Sequence, residues 1–287
     1  MSEIRDLEYG HPSDDLARAF TASLVDTSPS SQAIGYGPER LTNDSPAYPF
    51  KVDATTFRLL WDFGTPTAVL YALLVHHNCV AGLGGVRFAM GSTTGTTDFA
   101  RDFTIRAYHE DAFPMNEHLD LRDVAPTYQY ASLEVTSPNS VNCALGAFPM
   151  LTSVRALDGN LLLDAEDDES HPLVEHKTDV GVSTIYQHGT RLRWLRGEKI
   201  QAATDAAAIR SWNRATFGRG LPFVLIPHLL DDDAPVTSPA VEQEESWIVR
   251  WEDPNLPRTY MGPDLMSRYR LKFEEVSRGL KPTPSAV

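Results

Sequence analysis

Apolar and polar positions alternate in part between Phe57 and Phe63, with β-favouring aromatics at Phe57, Trp61 and Phe63, and the pattern predicts a strand. Gly64 and Pro66 mark a turn. Ala68 to Val75 is a short apolar run bounded by polar residues, which places a second strand over 69–76. Val86–Met90 follows a glycine-rich break, and further strands are expected over 103–108, 128–136 and 141–148. Along Tyr128–Thr136, Tyr128, Tyr130, Ser132 and Glu134 share one side while Ala131, Leu133 and Val135 share the other. Ser137-Pro-Asn-Ser140 reads as a turn, so 128–148 is expected to be a β-hairpin. Short strands separated by turn signals favour a sandwich or jelly roll over residues 50–157.

Downstream, the acidic run Asp164–Glu169 marks a connector over 158–179. Two strands, 180–186 and 190–196, are expected to be joined through Gln187-His-Gly189. Ile200, Ala203, Ala207, Ala208, Ile209 and Trp212 have the spacing of an amphipathic helix, and Gly218 falls where its C-cap is expected. Leu221–Pro227 reads as a buried strand pinned by prolines, 246–252 alternates, and 267–276 closes with Tyr269, Leu271 and Phe273 on one face. Residues 1–49, rich in Ser, Thr, Pro, Asp and Gly, read as an extended arm in which 16–25 forms a short helix or strand. Residues 280–287 read as a flexible tail. The expected class is therefore mainly β: a jelly-roll β-sandwich at 50–157, then a second β-rich domain at 180–279 with one main helix.

Hydrophobic residues make up 42% of the 287-residue chain, enough for a folded core. No stretch approaches the roughly 18 apolar residues needed to cross a bilayer, and the start has no secretory pattern. The net charge of −14 argues against general nucleic-acid binding, which depends on clustered Lys and Arg. The densest basic stretch, Arg191–Lys199, reads as a solvated strand face. Cys79 and Cys143 lie in or beside apolar segments and are expected as buried reduced thiols; if both segments join one sandwich, a disulfide between them stays open.

The passage Asp62-Phe-Gly64, turn, long strand, His77-Asn78 resembles the opening strands of galactose-binding-like (discoidin-type) jelly rolls, in the versions found in tailed-phage virion proteins. The later order is similar to the C-terminal part of tailed-phage tail proteins: Arg191-x-Arg193-Trp194, a helix, Gly218-x-Gly220-x-Pro222-Phe223-x-Leu225-Ile226-Pro227, Trp247-x-Val249, then Tyr269-x-Leu271-x-Phe273-Glu274-Glu275. The resemblance covers most of residues 57–279 and rests on pattern, without a single invariant motif. It implies a non-enzymatic structural subunit of the tail tip or an attached appendage. Such a subunit would sit in the virion tail, pass through the host cytoplasm during assembly, and act by symmetric assembly as a homo-oligomer with other virion tail proteins. The arm and the proline-rich stretch 235–263 are expected to reach neighbouring chains. The alternatives are a carbohydrate-binding module for host surface glycans and a head-to-tail connector.

Chemistry is sparse. His76 and His77 are adjacent on a strand and point to opposite faces, so they read as an exposed strand-end pair and not as a metal site. His171-Pro-Leu-Val-Glu175-His176 lacks zinc-protease spacing, and Asp231–Asp233 and Asp164–Glu169 lack the calcium-loop pattern. No nucleophile elbow or phosphate loop occurs. No catalytic residue, cofactor, metal, specific nucleic acid or membrane insertion is expected. The five tryptophans fall on core faces. That leaves Tyr36, Tyr48 and Tyr260 as candidate assembly contacts, and Thr94, Asp98, Tyr108 and Asp111 as candidates in glycan-facing loops around 91–98 and 111–123.

Overall fold

The structure, a computed structural model, describes residues 7–25, 36–42, 49–52, 54, 56–79, 84–105, 116–136, 143–157, 166–170, 173–177, 183–187, 192–201, 206–218, 220–226, 247–253, 256, 258–261 and 266–276. It is mainly β: a sandwich followed by a second β-rich part with one main helix, as the patterning predicts.

One layer of the sandwich is antiparallel, in the order β2 (Ser23–Val25), β4 (Thr56–Ala68), β9 (Thr127–Thr136), β6 (Gly85–Gly91) and β7 (Phe99–Asp102). The facing layer is β11 (Met150–Leu151), β5 (Tyr71–Leu74) and β8 (Glu117–Asp120), beside the pair β10 (Cys143–Leu145) and β3 (Phe50–Val52). Period-two positions fill the space between: Phe57, Leu59 and Trp61, Val86, Phe88 and Met90, and Ala131, Leu133 and Val135, all buried. Phe148 packs among them, 5.4 Å from the Trp61 ring and 6.1 Å from Phe88. On the outer face one transverse row, Arg58, Glu134, Arg87 and Asp102, alternates in charge across four strands. Its closest contact is Arg87 Nε to Asp102 Oδ1 at 2.7 Å.

The expected 128–148 hairpin does not form. β9 pairs with β4 on one edge and β6 on the other, while β10 pairs with β3 in the opposite layer. β9 buries only one face, and its neighbours are the strands that bury the same face; Cys143-Ala-Leu145 is buried throughout and suits the inner layer. The strand expected over 103–108 lies earlier, at β7, where the Arg87–Asp102 pair fixes it on β6; 106–108 lie outside the described residues.

The second part is an eight-stranded sheet. Its path is β12 (Arg155–Leu157), β1 (Leu7–Gly10), β17 (Phe223–Ile226), β18 (Trp247–Trp251), β20 (Met266–Glu275), β16 (Leu192–Gln201) and β13 (Glu166–Ser170), with β19 (Arg258–Met261) also on β20. β14 (Leu173–Lys177) and β15 (Ser183–Gln187) form a separate pair. The segment read as an arm thus supplies an interior strand: β1 lies between β12 and β17, with Leu7 and Tyr9 buried. Four residues are too few for alternation to stand out in the sequence. The segment read as a linker contains β13 and β14, and β14 takes the pairing with β15 that β16 was expected to make. The stretch 235–263, expected to reach outward, contributes the interior strand β18. The tail 280–287 lies outside the described residues.

Helix α2 (Ala206–Ala215) covers one face of this sheet through Ala206, Ile209 and Trp212. The Trp212 ring stacks on Tyr9 at 3.9 Å and meets Phe223 and Trp251, each at 4.8 Å. The helix ends with Gly218 N–H on the Asn213 carbonyl and Phe217 N–H on the Arg214 carbonyl. Two residues at this C-terminus are left-handed, Phe217 at φ +50° and the expected glycine, Gly218, at φ +62°; the Phe217 side chain is 78% exposed.

The other face of the sheet meets the sandwich. β5 sends Ala72 and Leu74 into the sandwich core and Tyr71, Leu73 and Val75 against Val224, Ile226 and Ile248. From the helix outward, the layers are α2, the eight-stranded sheet, the β11-β5-β8 layer and the five-stranded sheet.

Two outcomes follow from this packing. Tyr9→Ala leaves a hole over Trp212 and is expected to lower stability by about 3 kcal/mol in urea unfolding. Phe217→Gly relieves the left-handed backbone and removes no buried contact, so the same measurement should show a gain of about 1 kcal/mol.

Candidate functional site

The residues singled out from the sequence fall in different settings. Tyr36 is bound to β3: its carbonyl accepts the Lys51 N–H at 3.0 Å, and the Lys51 ammonium lies 4.5 Å from its ring centre. Tyr260 is in β19. Tyr48, Tyr108 and Asp111 lie outside the described residues. His76 and His77, expected to be exposed, are 1% and 2% exposed. The backbone turns left-handed at His76, φ +51°, and this carries both rings inward. Of the acidic run 164–169, Glu166 onward is in β13 and not in a loop; Asp231–Asp233 lie outside the described residues. Trp61, Trp212, Trp247 and Trp251 are core residues, as expected. Among the described residues, no group of three or more His, Cys, Asp or Glu side chains is arranged to hold a metal, and no helix is long and apolar enough to cross a membrane.

Thr94 and Asp98 belong to a built loop. Gly91 opens it, and a Cβ there would lie 2.0 Å from the Thr96 carbonyl oxygen, so only glycine fits. Asp98 Oδ2 accepts the Ser92 N–H at 2.7 Å and the Thr96 hydroxyl at 3.4 Å; Thr96 Oγ1 accepts the Thr93 N–H at 3.0 Å. The Ser92 N–H, with the Ser92 and Thr96 hydroxyls, holds the Asp98 carboxyl below its ordinary range. Thr94 is exposed at the tip.

The register places this loop beside three residues the sequence reading did not single out as a site. Gly91 is paired with Tyr130, and Tyr130 with Asp62, so Asp62 lies two strand spacings, about 10 Å, from the base of the loop. Gln129 Nε2 donates to Asp62 Oδ1 at 3.0 Å and to the Tyr130 hydroxyl at 3.1 Å, and the Gly64 N–H donates to the same Asp62 oxygen at 2.8 Å. These bonds, Gln129 first, keep the Asp62 carboxyl low. The Asp-x-Gly spacing of an Asx turn at Asp62 was the available signal. Tyr128 and Tyr130 are half-buried, each with part of its surface in solvent. Beyond β7, Arg101 clamps the turn before β9, donating to the Asp120 carbonyl at 2.8 Å and to Asp123 Oδ2 at 2.9 Å. The result is a rim of ionised acceptors, hydroxyls and two tyrosines, set on strands whose inner faces are core.

A cavity of about 30 Å³ lies where the two parts meet, lined by His11, Asp15, Arg18, Leu151, Pro222 and Ile248 among others. That volume holds a water or two and no sugar-sized ligand. Asp15 caps helix α1 (Leu16–Ala19): its Oδ1 accepts the Ala17 N–H at 3.0 Å and the Met150 N–H at 3.1 Å. Burial raises its carboxyl to about 6, against the pull of Arg18 and these two bonds.

No family model matches the chain, and no curated protein matches it. Among solved structures it is similar to a chitosan-binding module from a chitosanase/glucanase of Paenibacillus sp. IK-5, at 14% identity over 50% of this chain and 98% of that one, TM-score 0.37. The lectin domain of Lectinolysin, in complex with Lewis b antigen, aligns at 13% identity over 48% and 96%, TM-score 0.37. A family 32 carbohydrate-binding module of Clostridium perfringens NanJ, in complex with galactose, aligns at 10% identity over 52% and 99%, TM-score 0.36.

Because the folded Asp15 holds its proton to about pH 6 and the unfolded one only to about pH 4, its contribution to stability falls as pH rises through that window and is flat above it. Asp15→Asn keeps the acceptor for both N–H groups and cannot ionise. In urea unfolding, the stability of Asp15→Asn minus that of the wild type is expected to rise by roughly 3 kcal/mol between pH 4 and pH 7. A flat difference would show that the burial of Asp15 has no such cost.

Proposed function

We propose that the chain is a non-catalytic carbohydrate-binding protein whose sugar site is the rim formed by Asp62, Gln129, Tyr130 and the Ser92–Asp98 loop. The observation that supports it is the position of Tyr130, between the Asp62 carboxylate and the hydroxyl-lined loop. A sugar presents hydroxyl donors at its edge and C–H groups on its face. Ionised carboxylates accept from the first and an aromatic ring packs against the second. The reading rests on this geometry, and the low TM-scores of the modules compared above add nothing to it.

A place on a phage tail is the finer reading that the sequence resemblance supplies. On a tail tip, the rim would face host surface glycans, and a homo-oligomer would multiply weak single-site binding. No virion protein stands among the structures compared above, so tail location and self-assembly rest on the resemblance alone.

The test is a glycan array probed with the full chain, followed by calorimetry on a retained sugar. Asp62→Ala and Tyr130→Ala should each weaken binding at least about tenfold, the scale of one lost charge-assisted hydrogen bond or ring contact. An array with no retained glycan overturns the function; retained glycan with unchanged affinity in both variants overturns the site.

A further inference from the structure

Two cysteines distant in sequence meet inside the sandwich. Val75 forms a bridge opposite Ala147, with Gly146 N–H on the Val75 carbonyl at 2.9 Å. Three residues on, Asn78 N–H donates to the Ala144 carbonyl at 3.3 Å, and Ala144 N–H donates back to Asn78 Oδ1 at 2.8 Å. Cys79 follows Asn78 and Cys143 precedes Ala144, so these two bonds bring the cysteines together between the turn and β10. Their thiols are close enough to hydrogen-bond, which puts the sulfurs within reach of a disulfide. Both residues are free thiols, 1% and 0% exposed, and Cys143 hydrogen-bonds to Cys79. His77 lies beside them, its Nδ1 accepting the Cys79 N–H at 3.2 Å.

We propose that Cys79 and Cys143 are a thiol-oxidation site, closing to a disulfide that staples the His76–Cys79 turn to β10. The hydrogen bond from Cys143 and the neighbouring His77 favour the Cys79 thiolate, while Cys143 is pushed up by that same bond and by burial. Cys79 is therefore the attacking sulfur and Cys143 the resolving one. With hydrogen peroxide as oxidant, the Cys79 thiolate attacks one oxygen, the O–O bond breaks and hydroxide leaves, giving a sulfenic acid. The Cys143 sulfur then displaces the hydroxyl, the S–S bond forms, and water leaves with the Cys143 proton. The two sulfurs give up two electrons. One peroxide becomes one water and one hydroxide, which becomes the second water on taking up the proton Cys79 released when it ionised.

The test treats the folded full-length chain with hydrogen peroxide, then denatures and alkylates it for peptide mass spectrometry. A Cys79–Cys143 linked peptide is expected, with a Tm raised by roughly 5–10 °C and restored by dithiothreitol, because the link closes a long loop. In Cys143→Ser the oxidation should stop at a Cys79 sulfenic acid, trapped by dimedone, with no rise in Tm. Two alkylated thiols after peroxide treatment of the folded wild type overturn the proposal, and so does a linked form that melts below the reduced one.

Discussion

The packing of β5 against β17 is the contact on which the rest of the molecule depends. β4 and β9 bury one face, whereas β5 and β17, like β10, bury both. Ala72 and Leu74 close the sandwich while Tyr71, Leu73 and Val75 turn the other way; Phe223 and Leu225 face Trp212 while Val224 and Ile226 meet β5. Neither strand has a solvent face to fall back on. Separating the two parts would expose an apolar surface on each, so the parts hold one another in place.

Polar groups fasten this junction at its margin, and they come from the N-terminal segment. Arg122, on the turn after β8, donates to Glu8 of β1 at 2.7 Å. Arg155 donates to Asp14 at 2.9 Å, Met150 donates to Asp15, and Arg18 reaches the Pro222 carbonyl. The segment runs from the large sheet, where Tyr9 stacks on Trp212, to the five-stranded sheet, where β2 pairs with β4. It is a strap across both cores. The raised Asp15 carboxyl shows what that strap costs: an acid is kept from water so that one oxygen can hold two backbone N–H groups from different elements.

The two-faced strands were legible in the sequence as unbroken apolar runs, Val69–Val75 and Phe223–Ile226, because a strand buried on both sides has no polar alternation to show. β4, β6, β9 and β20 were legible for the opposite reason, that a half-buried element displays its period. α2 was legible in part, through Ile209 and Trp212, while Ile200, read into its face, belongs to β16, and Ala207 and Ala208 are exposed. What the sequence hid was partnership. Nothing in Tyr128–Thr136 says that its neighbours are β4 and β6 and not the next strand along, and four residues of β1 carry too little pattern to reveal an interior strand. The candidate site was half-legible: a glycine-bounded Ser/Thr loop stands out, but the row that joins it to Tyr130 and Asp62 exists only once the register is set.

Charge decides which part of the exposed surface can act as a receptor for hydroxyl groups. Asp102, Asp120 and Asp123 are each committed to an arginine, Arg87, Arg122 and Arg101 respectively. Their oxygens are engaged and their charge is neutralised within the fold, so they serve as clamps. Asp62 and Asp98 are held by neutral donors instead: an amide and a backbone N–H at one, a backbone N–H and hydroxyls at the other. Such donors fix a carboxylate in position and stabilise its ionised form without cancelling its charge. These two acceptors also flank the half-exposed Tyr130. The same sheet therefore separates the carboxylates that build the sandwich from those whose charge is not cancelled within the fold, and it sets the second kind at the loop end, in solvent.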